Sequence, residues 1–153
     1  MTIDDRLSEL GVVLPNASPP AGLYTGAVKT GSLLYTAGAG PVRADGSFVT
    51  GKVGRDVDVD GAREAARLTG LQLLAVMKAE LGTLDRVARI VKILGMVNCA
   101  PGFNNTPAVI DGCSELLIQV FGEAGRAARS AVGMAELSFD IAVEIELIAE
   151  VSD

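Results

Sequence analysis

The most constraining stretch of this 153-residue chain lies near its C-terminus, where Ile141, Val143, Ile145, Leu147, Ala149 and Val151 alternate with Ala142, Glu144, Glu146, Ile148 and Glu150. Apolar residues at every second position describe a β-strand with one buried face. The preceding strand opens at Arg129, and only the short Ser138-Phe139-Asp140 turn follows it, which predicts that Arg129 comes close in space to Glu144. One fixed guanidinium beside one carboxylate suits a small anionic substrate. From pattern alone, a row of Glu144, Glu146 and Glu150 also describes a solvated face, and an arginine at a strand start is commonly just ion-paired.

The rest of the chain supplies the partners such a strand needs. Thr2 to Leu10 places Ile3, Leu7 and Leu10 on one helical face, with Thr2 at the N-cap and Gly11 just past the end. Pro15 to Pro20 can continue neither a helix nor a central strand, so it reads as an extended connector. A hairpin turns at Lys29-Thr30-Gly31, and Pro41 to Lys52 forms a loop or edge hairpin around Asp45-Gly46. Ala62, Ala66, Leu73 or Leu74, Met77 and Leu81 recur at helical spacing, which predicts a helix from about Val59 to Leu81 capped by Gly82. Val87 to Val97 is a nearly continuous apolar run and reads as a central strand covered on both faces. After the turn-rich stretch from Asn98 to Thr106, Pro107 opens a second helix carrying Val109, Ile110, Cys113, Leu116 or Leu117, and Val120. Phe103, in that stretch, either pins its own loop or walls a pocket.

Two strands, helix, strand, helix, two strands is the order of an α+β fold: one mixed sheet with both helices on a single face, in ferredoxin-like layers. Residues 1–153 read as one domain, with 1–21 a helix and proline-rich connector docked on it. The uncovered sheet face, bearing Leu34 or Tyr35 and the Val87 strand, is too apolar for water and predicts burial by another subunit.

Composition narrows the chemistry. Histidine is absent, so no step can use imidazole or a His-ligated metal. Cys99 and Cys113 have no metal or redox spacing, and Cys113 falls on the apolar face of its helix. A formal net charge of −6 without any Lys/Arg cluster argues against a nucleic-acid surface. No apolar stretch approaches the roughly 20 residues that span a bilayer, and the expected location is cytoplasmic.

The Arg129-Ser130-Ala131-Val132 block, with the leucine turn and the Val143-Glu144-Ile145-Glu146 strand after it, resembles the signature of the YjgF family of reactive-intermediate (enamine/imine) deaminases. Tyr24 to Gly38 is similar to that family's opening hairpin, and the resemblance extends from about Gly22 to Val151. The stretches Val97 to Phe103 and Phe121 to Arg126 look like a subgroup distinct from the best-studied deaminases.

The resemblance implies a chorismate-mutase-like fold, a homotrimer whose sheet faces meet, and an active cleft between neighbouring subunits. It implies hydrolysis of a 2-imino acid to a keto acid and ammonia, with no metal or organic cofactor. Carried over by motif, the arginine that grips the substrate carboxylate falls on Arg129, the strand glutamate on Glu144, the aromatic on Tyr24 and the backbone-donating glycine on Gly38. The family's serine after Thr36 is Ala37 here, and its cysteine two after the arginine is Ala131. An asparagine common in its second helix is Asp111, which would compete with an anionic ligand for Arg129. From its place in the loop rather than from the resemblance, Phe103 is a further candidate to contact the substrate. The alternatives are a non-catalytic trimer that binds a keto acid or similar carboxylate-bearing metabolite, and, disfavoured by charge and the missing histidine, an endoribonuclease or translation inhibitor.

Overall fold

The computed structural model describes residues 1–153. Its elements are α1 (Ile3–Glu9), β1 (Ala27–Thr30), β2 (Leu33–Thr36), α2 (Val59–Leu81), β3 (Val87–Asn98), α3 (Thr106–Phe121), β4 (Ala128–Met134) and β5 (Val143–Val151), with short 3₁₀ turns before β3, before β4 and between β4 and β5. The helices start and stop on the expected signals. Thr2 caps α1 with a reciprocal Thr2/Asp5 capping box, Asp58 caps α2 through the Gly61 N–H, Gly82 ends α2 with φ 81°, and Pro107 sits in the first turn of α3.

The five strands form one mixed sheet in the order β1-β2-β5-β3-β4. All neighbours are antiparallel except β3 and β4, which run parallel with Ile93 opposite Arg129 and Gly95 opposite Ala131. This corrects the hairpin expected between β4 and β5. The segment after β4 does not turn back along it; Thr50 and Val49 pair with Ile141 and Ala142 instead, and the chain re-enters the sheet on the far side of β3.

Val143, Ile145, Leu147, Ala149 and Val151 are buried as the alternation requires, and they face α2 and α3. The two helices approach closely because Gly70 and Gly112 lack side chains: a Cβ on Gly70 would stand 3.0 Å from Leu116 Cδ2, and one on Gly112 would overlap the Arg63 carbonyl. Helix α1 packs beside α3, and Arg6 Nε donates to the Gln119 carbonyl at 3.0 Å. For Gly112→Ala we expect a loss of about 3 kcal/mol, because a backbone contact cannot yield as a side chain can. Thermal denaturation should show this as a drop of roughly 6–12 °C.

The opposite sheet face carries no helix. Val28, Tyr35, Val91 and Val132 are exposed there or beside it, so within the single chain only the helix face of β3 is covered by other elements along its length. No helix is long and apolar enough to cross a membrane.

Candidate functional site

On β5, Ile145 faces the helices, so Glu144 faces the bare side of the sheet. Its carboxylate leans over Gly38, where a Cβ would stand 2.5 Å from Glu144 Oε2. Any side chain at 38 would displace the carboxylate. The Gly38 N–H makes no hydrogen bond within the chain, while the next residue is pinned by Ala39 N–H to the Ile145 carbonyl at 2.9 Å. Glu144 is half-buried, and burial pushes its carboxyl above the usual range, with the Glu146 charge adding to the effect. Neither a donor nor a cation offsets this.

Glu144 and Gly38 open on a cavity of about 730 Å³ that runs to the proline-rich connector. Tyr24 lines it, its hydroxyl accepting from the Ala21 N–H at 3.0 Å, and Gln72 Oε1 holds the connector through the Ser18 N–H and Oγ at 3.3 and 3.1 Å. Tyr24, Gly38 and Glu144 are thus brought together from β5 and the flanks of the β1–β2 hairpin.

Arg129 is elsewhere. It pairs with Ile93, which is buried under the helices, so it lies on the helix-covered face, two strand spacings or about 10 Å of sheet from β5. The expected closeness of Arg129 and Glu144 fails because β3 separates their strands and their side chains leave opposite faces. Arg129 Nη1 donates to Asp111 Oδ1 at 2.7 Å and to Ser114 Oγ at 3.1 Å, in a polar groove of about 640 Å³ along α3. Asp111 therefore points inward and already occupies the guanidinium. Arg63 and Arg126, in the same groove, are paired with Glu115 and Glu123.

Neither Ala131 nor Phe103 lines the cavity or this groove. Ala131 follows Arg129 on the helix side, and its carbonyl accepts from Thr106 Oγ1 at 3.0 Å. Phe103 packs on Gly54, whose Cβ position lies 3.0 Å from its own, and its N–H bonds the Ala100 carbonyl, so it pins its loop. Cys113 is buried in the core, which pushes its thiol up to about 12. No group of three or more His, Cys, Asp or Glu gathers as a metal site would require.

The sequence reading missed a turn at the cavity mouth. Phe139 and Asp140 have φ of 58° and 56°, and the Ile141 N–H returns to the Ser138 carbonyl, so these residues occupy the two central positions of a mirror-image turn normally given to Asn and Gly. A left-handed residue with a side chain costs about 1–2 kcal/mol. The fully buried Asn98 holds the turn: its Nδ2 donates to Asp140 Oδ1 at 3.1 Å and the Ile141 carbonyl at 3.2 Å, while Lys52 Nζ donates to its Oδ1 at 2.9 Å. The one signal in the sequence was an aromatic residue inside an otherwise polar turn.

Residues 4–151 match the family described as "YjgF/chorismate_mutase-like, putative endoribonuclease". The chain belongs to this family. A solved protein of unknown function from Agrobacterium tumefaciens is 44% identical over 99% of this chain and 94% of its own, with a TM-score of 0.89. A "putative endoribonuclease" of Shewanella oneidensis is 31% identical over 99% and 100%, at 0.94. Escherichia coli TdcF, solved with bound serine, is 28% identical over 90% and 94%, at 0.62. The YjgF fold accounts for the sheet and its helix layer, and the higher scores mark two relatives that share more of this chain's geometry.

Proposed function

We propose that this YjgF-family chain is a cytoplasmic homotrimer that hydrolyses small 2-imino and enamino acids in clefts shared between subunits. The observation that carries the reading is Glu144: an undonated carboxylate, raised by burial, held over Gly38 in a cavity that also contains Tyr24. The serine seen in TdcF supports an amino-acid-sized ligand for such a site. Because Arg129 and Glu144 leave opposite faces of one sheet, a single chain does not join them. β4 is an edge strand, so Arg129 is at a rim that a second subunit's bare face can approach.

In this arrangement Arg129 of one subunit grips the substrate carboxylate through two parallel hydrogen bonds. Glu144 of the next takes a proton from water as the water oxygen bonds to the C=N carbon. It passes that proton to the imine nitrogen, and then relays the proton of the adduct's hydroxyl to the same nitrogen as the C–N bond breaks and the carbonyl forms. One water is consumed, a keto acid and ammonia leave, and no electrons are exchanged. The test is to generate 2-iminopropanoate with an amino-acid oxidase in the presence of semicarbazide. The protein at catalytic concentration should divert the imine to pyruvate and ammonia; an unchanged semicarbazone yield contradicts the reading.

The Asp111–Arg129 pair favours a second reading, a trimer that binds a keto acid without turnover, because the substrate anchor is already neutralised. Both readings give one expectation: Asp111→Asn should bind a 2-keto acid at least about tenfold more tightly by calorimetry, since the guanidinium no longer exchanges one carboxylate for another. No change would place Asp111 outside the binding step. The endoribonuclease of the family's description is the weakest reading, because the arginines of the α3 groove are paired with acids and a phosphate backbone needs free cations.

A further inference from the structure

We infer that the Glu144 cavity selects 2-imino acids with an aromatic or branched apolar side chain, and that Phe139 is the residue that sets this preference. The reaction assumed rests on the deaminase reading above, whereas the preference rests on the cavity. The chain has six aromatic residues, and four of them, Tyr24, Tyr35, Phe48 and Phe139, line this one space. All four are exposed, Phe139 at 73%, so the chain's own folding does not use them as core. Val28, Val42 and Ile141 extend the same wall, and Ala37 stands in it.

Glu144 is the one charged side chain in the lining, and it sits beside the free Gly38 N–H. Cavities of about 300–1,000 Å³ suit ligands well above three carbons. A substrate with only a methyl group would leave most of this one as water against aromatic rings, whereas a benzyl or isobutyl group displaces that water.

The Phe139 turn adds an independent argument. Its left-handed backbone is disfavoured for an aromatic residue, its ring gains no burial, and a buried Asn98–Lys52 network holds it in place. Strain that the surroundings enforce at a cavity mouth is expected where the presented group has work to do. Here the group is a phenyl ring facing the substrate's variable end.

The test compares kcat/KM for imines made in situ from alanine, leucine and phenylalanine, with wild type and Phe139→Gly. Wild type should favour the phenylalanine-derived over the alanine-derived imine by about tenfold or more, and Phe139→Gly should lose most of that ratio. Because glycine adopts φ near 58° without strain, its Tm should be unchanged or higher, which separates selectivity from folding. A wild-type ratio near one, or equal loss on all three imines in the variant, overturns the inference; equal loss with a changed mass by light scattering assigns Phe139 to an interface instead. If no imine is turned over, the deaminase reading fails, and the ratio of Kd values for the corresponding keto acids decides the preference by the same criteria. Absence of binding to any of them overturns both.

Discussion

Glu144→Gln should abolish nearly all imine hydrolysis while making the protein more stable at neutral pH. Glutamine keeps the shape that fits over Gly38 but can neither take a proton from water nor return it, and such acid–base help is worth about 10²–10⁴-fold in kcat. The stability gain follows from the raised carboxyl. With its folded pKa above the unfolded value, Glu144 favours folding fully only below the unfolded pKa, and that contribution is lost as pH rises through the folded one. At pH 7 the ionised side chain is half-buried beside Glu146 and opposes folding; the amide is not. Melting curves of wild type and variant should therefore separate at neutral pH and converge below the ordinary carboxylate range near 4.5. The acid limb of kcat/KM in wild type should likewise lie above that value, because the base form is needed. A variant that keeps a tenth of wild-type kcat would remove Glu144 from the chemistry.

Arg129→Lys should cost most of the ligand affinity and little of the fold. A carboxylate gripped by two charge-assisted hydrogen bonds gains about 1.5–3 kcal/mol from each, and an ammonium cannot reproduce the planar pair. Losing one of them weakens the Kd for a 2-keto acid by about 10–100-fold. The pair with Asp111 is only partly shielded, the two side chains being 22% and 49% exposed, so its loss should change stability by about 1 kcal/mol or less. Calorimetric titration and a melting curve on the same sample separate the two roles. Equal collapse of binding and Tm would make Arg129 a structural residue of the α3–β4 contact.

Much of the layering is legible in the sequence. The alternation from Val143 to Val151 marks a buried face because the pleat fixes side-chain direction, and Thr2, Gly82 and Pro107 bound helices because each answers a defined backbone need. Strand order was not legible. A three-residue link between two strands looks like a hairpin turn, yet the backbone groups around Ser138 to Ala142 find partners at Val49 to Gly51, and that pairing sends β5 to the other side of β3. The same non-local pairing decides the site. Tyr24, Gly38 and Glu144 line one cavity, whereas Arg129 turns to Asp111, an outcome that hangs on which face of an edge strand carries it. The aromatic wall was invisible because residues 24, 35, 48 and 139 share no period, and Asn98 read as the start of a loop although it is the buried clamp of the Phe139 turn.

The shared cleft is tested most directly by mixing two inactive proteins. Glu144→Gln keeps Arg129, and Arg129→Ala keeps Glu144; subunits of the two, exchanged at equal amounts, should form trimers in which about a quarter of the clefts have both wild-type residues. Imine hydrolysis returning to about that fraction of the wild-type rate is the predicted result. If the mixture stays as inactive as its parents after exchange is verified by mass, the two residues do not meet across subunits, and the proposed cleft is wrong.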